Sequence, residues 1–174
     1  MKLGFILTPV MFFSLTALAQ EPQNKLYPLP ADVESISGIL TAAYDVISGE
    51  AGAPRQWERD RSLHSANAII SRNVMIDGKP DREVITLDQF YAGFNDRLES
   101  GFFEEEINRE VRIFGTIAHV WSTYQQRNIK NGPIIGRGIN SIQLYFKNDR
   151  WWILSWNWDV ESEGNKIPTS FDTY

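Results

Sequence analysis

From Val33 onward the apolar residues Ile36, Leu40, Ala43, Tyr44 and Ile47 recur at intervals of three and four, the spacing of a single helix stripe, with Asp32 placed as an N-cap. Gly49, Gly52 and Pro54 end that helix, and a short second helix is predicted over 55–64, where Pro54 costs no hydrogen bond. Residues 68–75 read as a strand leading into a turn at Asp77-Gly78-Lys79-Pro80. Thr86-Leu87-Asp88-Gln89 has capping-box spacing, and Leu87, Phe90, Tyr91, Phe94 and Leu98 form the stripe of a third helix ending near Gly101. Beyond it the period changes to two. Strands are predicted over 105–114, 116–126, 139–147 and 151–158, the last pair joined at Asn148-Asp149. Helices followed by sequential antiparallel strands predict an α+β fold in which one curved sheet packs over three helices. This domain spans 32–160, between an irregular lead-in at 20–31 rich in proline and a tail at 161–174 without periodicity.

The first 19 residues read as an export signal. Lys2 supplies the positive start, residues 3–18 are almost uncharged, and Ala17-Leu18-Ala19 forms a small-x-small cleavage site before Gln20. Thr8, Pro9, Ser14 and Thr16 interrupt the apolar run, which weakens the competing reading of a retained membrane anchor. The expectation is a periplasmic or secreted protein with no stable membrane insertion after cleavage.

Composition narrows the picture. The chain has 174 residues, 43% hydrophobic and 22% charged, which suits one globular domain and excludes disordered and collagen-like chains. Lys and Arg number 17 against 22 Asp and Glu, a net charge of −5, so no nucleic-acid partner is expected. There is no cysteine, which removes disulfides, a lipid-modified cysteine and thiolate metal sites; the domain must hold itself together by its core. Two widely separated histidines and Gly132-Pro133-Ile134-Ile135-Gly136, which lacks a phosphate loop's lysine and following helix, point to no metal and no cofactor.

Particular words in the chain carry a resemblance. They are Ile47-Ser48-Gly49-Glu50-Ala51-Gly52-Ala53-Pro54-Arg55 with Trp57 and Leu63, Ala66-Asn67-Ala68, and Glu110-Val111 with Phe114-Gly115. Further on come Ala118-His119-Val120-Trp121-Ser122-Thr123-Tyr124, Arg137-Gly138-Ile139-Asn140-Ser141-Ile142-Gln143-Leu144 and Arg150-Trp151-Trp152-Ile153. Together they resemble the nuclear transport factor 2-like (NTF2-like, or SnoaL-like) superfamily, especially exported bacterial members of unassigned function. The resemblance implies a cone of three helices against a strongly bent mixed sheet, with a pocket between them. Members include isomerases, cyclases, dehydratases and non-catalytic binding or assembly domains, so the fold implies a pocket more strongly than a reaction.

The candidate chemistry starts from the histidines. His119 shares a strand face with Ile117, Trp121 and Thr123; if that face lines the pocket, it could move a proton on a small molecule while Tyr44 or Tyr124 stabilises a developing oxygen charge. The other reading puts His119 on the far side of the sheet. His64 lies four residues after Asp60 and seven after Trp57, the spacing of an acid/base dyad and equally of an ordinary helix-surface pair. Tyr44 falls near the first helix's apolar stripe and Asp45 opposite it. Alternation puts Trp152, Leu154, Trp156 and Trp158 on one face of the last strand, as core, ligand wall or dimer interface, with Gln143 and Tyr145 alternating on its partner. Arg137, Asn140, Ser141, Gln143, Ser122 and Tyr124 are the polar candidates, and Arg137 could hold a carboxylate or pair with an acidic neighbour. Glu104-Glu105-Glu106 should divide between two faces of a solvated edge. The best reading is a small organic ligand in an aromatic cavity of a homodimer. The alternatives are a cofactor-free lyase or isomerase with a histidine base, and a purely structural or assembly domain.

Overall fold

Three two-residue turns set the register of most of the sheet. The computed structural model describes residues 26–95 and 98–172; the expected export signal and the first residues of the lead-in lie outside that range. Asp77 and Gly78 both take positive φ, 51° and 73°, between β1 (His64–Ile76) and β2 (Lys79–Ile85). Gly115, at φ 55°, opens the turn between β3 (Phe103–Phe114) and β4 (Ile117–Arg127), where a side chain would be strained. Asn148 and Asp149, at 55° and 58°, join β5 (Gly136–Lys147) to β6 (Arg150–Val160). Paired left-handed residues match the twist of the strands they join, which favours tight hairpins at Asp-Gly and Asn-Asp.

The strand order is β2-β1-β6-β5-β4-β3. The last four strands pair sequentially and antiparallel, as the alternation predicts, and β1 returns parallel to β6, making the sheet mixed. β2 is a strand that the sequence reading passed over.

Among the described residues four helical segments cover one face, one more than expected. The first predicted helix is broken into α1 (Pro30–Val33) and α2 (Ile36–Ile47). Ser35 takes an extended conformation and its hydroxyl accepts the Gly38 N–H at 2.9 Å, so Ser35 caps α2 in place of Asp32. Asp32 is buried and is bridged by two 2.8 Å bonds from Arg59, which comes from α3 (Trp57–Leu63). The capping box of α4 (Leu87–Asn95) forms as expected: Thr86 N–H donates to Gln89 Oε1 at 2.9 Å and Gln89 N–H to Thr86 Oγ1 at 3.2 Å.

The core lies between the helices and the inner face of the sheet. Ile39, Leu40 and Ala43 of α2 and Leu63 of α3 pack on Val120, Ile142 and Ile153. A second cluster joins Ile70 and Ile85 to Leu87 and Tyr91 of α4, and Trp156 touches both clusters. Each leucine, isoleucine or valine among them contributes about 1.5–3 kcal/mol through burial.

A bulge corrects the expected tryptophan face. Gln143 pairs with Ser155 but Leu144 pairs with Ile153, leaving Leu154 as an extra residue and reversing the alternation. Trp152 therefore faces outward, its ring 6.4 Å from that of Tyr145 and nearly parallel to it, while Trp156 and Trp158 face the helices. The tail folds back across the outer face. There the Thr123 hydroxyl donates to the Phe171 carbonyl at 2.8 Å, Phe171 lies 5.9 Å from Trp121, and Asp172 pairs with Arg137.

Candidate functional site

A cavity of about 190 Å³ opens between α2, α3, α4 and the inner face of the sheet. Ile47, Leu87, Phe90, Phe94, Trp156 and Trp158 make its apolar wall, and Asp60, His64, Glu104, Tyr124, Gln126 and Asn140 are its main polar lining. A cavity of about 150 Å³ accommodates a benzene ring, so this space suits a single-ring organic molecule.

One polar cluster comes from the end of α3. Asp60 closes the first turn of this short helix and His64, four residues on, caps its end while opening β1, which carries both into the cavity wall. Both are buried. The Asp60 carbonyl lies 2.9 Å from His64 Nδ1 and can only accept, so Nδ1 carries a proton, which in the neutral form of the ring leaves Nε2 as the acceptor. The Asp60 carboxylate stands 3.8 Å from Nδ1 and accepts the Tyr91 hydroxyl at 2.7 Å. Trp57 supports this cluster from behind, stacked on Tyr91 at 4.7 Å with its indole N–H donated to Asn95 at 3.0 Å.

The second cluster centres on Glu104. Burial raises its carboxyl to a pKa of about 8, partly offset by a hydrogen bond from Asn140. Asn140 Nδ2 also donates to the Tyr44 hydroxyl at 2.8 Å, Tyr44 and Ser122 share a proton at 2.7 Å, and the Ser122 hydroxyl donates to Glu106 at 2.5 Å. Because Ser122 gives its proton to Glu106, Tyr44 must donate to Ser122, so the chain of bonds runs in one direction. Arg109 closes it by pairing with Glu106. Burial above all, with the nearby Glu104 second, also pushes the Tyr44 and Tyr124 hydroxyls above their ordinary range.

Two glycines make room for this side of the cavity. Tyr124 lies across from Gly138 and Gln126 across from Gly136. A Cβ at Gly138 would stand 2.5 Å from the Tyr124 hydroxyl oxygen, and one at Gly136 would stand 2.3 Å from the Gln126 amide nitrogen. The Gly-Arg-Gly start of β5 thus lets both side chains lie over the sheet.

Of the sequence candidates, the structure brings His64, Tyr124, Asn140 and Trp156 to the cavity wall. Tyr44 lies just behind them, its ring edge-on to Trp156 at 5.8 Å. His119, Trp121, Arg137, Gln143 and Tyr145 face the other way. His119 bonds to Ser141 at 3.1 Å, Gln143 is exposed opposite it, and Arg137 is held by Glu161 and Asp172. The reading of Glu104-Glu105-Glu106 as a solvated edge is corrected: Glu105 pairs outward with Arg127, whereas Glu104 enters the cavity and Glu106 the chain behind it. The obstacle was a bulge. Glu106 pairs with Tyr124 but Asn108 with Thr123, so counting alternation back from Val111 and Ile113 gives Glu104 the wrong face.

No family model and no curated protein matches the sequence. The fold is found among solved structures. A cystatin-like-fold protein of unknown function from Nostoc punctiforme is 12% identical with a TM-score of 0.56, over 74% of this chain and 90% of that one. A candidate dehydratase from the NTF2-like family, from Streptomyces avermitilis, is 15% identical with a TM-score of 0.53, over 75% and 96%. A candidate calcium/calmodulin-dependent protein kinase II association domain from Xanthomonas campestris is 11% identical with a TM-score of 0.53, over 74% and 86%. The chain therefore has the NTF2-like, or SnoaL-like, cone-shaped α+β fold.

Proposed function

We propose that the protein is an exported, homodimeric domain that binds a small organic molecule in the cavity beneath α2, α3 and α4. The observation that carries this reading is the combination of a one-ring volume, aromatic walls and a few buried polar groups at fixed positions. Export rests on the amino-terminal pattern. Dimerisation rests on the outer sheet face, where Ile117 and Leu154 are exposed beside Tyr145 and Trp152. Light scattering should return twice the mature chain mass; a monomer at high concentration removes that part of the proposal.

Binding is tested at the cavity mouth. Gly93 of α4 is exposed there, and a Cβ added to it meets nothing within 4 Å. Gly93→Phe should fold and obstruct entry. Saturation-transfer NMR with a panel of neutral, cationic and anionic single-ring compounds should detect binders to the native chain that the variant loses. A panel without any binder would overturn the reading.

One observation favours a second reading, a cofactor-free proton-transfer enzyme. His64 Nε2 is the free acceptor of its ring and Glu104 keeps its proton at neutral pH, and both line the same cavity. Here His64 takes the role expected of His119. Deuterium exchange from solvent into the α-carbon of a bound cyclic ketone, lost in His64→Ala, would separate enzyme from binder.

A further inference from the structure

Carboxylates near the cavity are otherwise matched to arginines. Asp32 and Asp45 share Arg59, Asp88 pairs with Arg61, Glu83 with Arg72, Glu105 with Arg127, and Glu106 with Arg109. Among the described residues Glu104 has no lysine or arginine partner, and Asp60 has none within ion-pair distance, the Arg61 guanidinium acting on it only from farther off; both stand on the cavity wall. The positive groups facing the same space are already engaged: Arg72 is bonded to Glu83 at 2.8 Å, and the His64 Nδ1 proton is directed to the Asp60 carbonyl. The rings of Phe90, Phe94, Trp156 and Trp158 line the same cavity, and the faces of such rings carry the negative end of the aromatic quadrupole.

We infer that the ligand of this cavity is a small protonated amine carrying one ring, with its ammonium group on the Glu104 side and its ring among Phe90, Phe94 and Trp156. The inference rests on the proposed use of the cavity as a binding site and adds the chemical class of the ligand. A cation supplies the missing charge partner and meets the ring faces; an anion meets two carboxyl groups, and a neutral alcohol leaves the ionic complement unused.

Proton linkage gives the inference a signature. The groups around Glu104 are Tyr44 on α2, Glu106 on β3, Tyr124 and Gln126 on β4 and Asn140 on β5; Asp60, His64 and Arg72 line the same cavity, and on its other side Glu104 shares a second cavity with Asp45, Arg127 and Lys130. Glu104 holds its proton below about pH 8, and a bound cation favours the carboxylate. Binding at pH 7 should therefore expel a proton from the site, and affinity should rise with pH until Glu104 is ionised in the free protein. His64 lines the same cavity and is given its own control variant.

The test uses benzylamine, benzyl alcohol and benzoate with the full mature chain, titrated calorimetrically at pH 6 and pH 8 in two buffers of different ionisation enthalpy. Benzylamine should bind at least tenfold more tightly than benzyl alcohol, benzoate should not bind, and the amine's Kd should fall about tenfold or more from pH 6 to pH 8 with proton release. Glu104→Gln should flatten that pH dependence while His64→Gln preserves it. Equal affinity for alcohol and amine, which needs no variant to observe, overturns the amine class and leaves the binding site standing. A pH dependence that survives Glu104→Gln also overturns it. Binding of none of the three overturns the amine inference, and the panel result decides whether the cavity reading falls with it.

Discussion

The two faces of the sheet receive alternate residues of the same strands, yet they treat polar groups oppositely. On the inner face, Asn140, Ser122 and Tyr44 are buried, and their hydrogen bonds form one directed chain ending at Glu106. On the outer face, His119, Ser141 and Gln143 remain partly or largely in contact with solvent, and the carboxy-terminal strap lies against Trp121 and Thr123. Burial makes the difference. A carboxyl in the inner cavity is displaced by several pH units, whereas outward-facing Glu105 is held below its usual range by its bonds to Arg127 and Gln125. Chemistry that needs a displaced proton therefore belongs to the face under the helices.

The largest expected effect tests that contrast through stability. The Glu104 carboxyl has a pKa near 4.5 in the unfolded chain and about 8 when folded. Below pH 4.5 both states hold the proton and burial carries no ionic penalty. As pH rises towards 8 the unfolded chain ionises first, so the native state loses stability, and the loss is complete above 8. At about 1.4 kcal/mol per pH unit, the upper bound is about 4–5 kcal/mol. Glu104→Gln has no proton to lose. Urea denaturation should find variant and native chain closely matched at pH 4 and the variant progressively more stable towards pH 9. Parallel pH profiles would mean that water reaches the carboxyl freely and would erase the contrast between the faces.

Much of the architecture is readable from the sequence because its signals are local. The capping box at Thr86, the glycine at 115 and the Asn-Asp turn act within four residues, and each appears where the pattern puts it. Sequential pairing of the last four strands follows from those short connections. The site was less legible. Two bulges, beside Ile107 and at Leu154, invert the alternation in β3 and β6, and a bulge is set by how the sheet bends over its helices. That inversion hid Glu104 and grouped Trp152 with Trp156. His64 and Asn140 were visible as candidates, but sequence spacing alone leaves a helix-end histidine equally suited to surface and cavity. The fold relatives, all below 20% identity, add the cone and no residue roles.

A smaller effect belongs to the strap. Phe171 places a ring 5.9 Å from Trp121 and its carbonyl accepts the Thr123 hydroxyl, while Asp172 pairs with Arg137. Removing the ring by Phe171→Ala should cost about 1–2 kcal/mol in denaturant unfolding, less than a fully buried phenylalanine, because the site is half-exposed. Ligand affinity in the inner cavity should not change. A loss of binding in this variant would mean that the ligand lies beneath the strap.

The smallest effect is expected at the residue that the sequence put forward first. His119 lies on the outer face between the Arg112 and Gln143 positions of the neighbouring strands. Its contacts are a 3.1 Å hydrogen bond to Ser141 and an edge-to-face approach to Trp121 at 6.0 Å. At this partly exposed site the first is worth about 0.5 kcal/mol, because water partly replaces it when the ring is removed, and the second adds about as much. His119→Ala should therefore cost no more than about 1 kcal/mol in denaturation and change the Kd of any cavity ligand less than twofold. His64→Ala should act differently, because it removes a buried ring from the cavity wall and with it the partner of the Asp60 carbonyl. The comparison is sharpest when both variants are titrated with one ligand. If His119→Ala alone abolished binding, the functional surface would lie on the outer face, and the hydrogen-bonded chain from Asn140 to Glu106 would serve only to hold the sheet to α2.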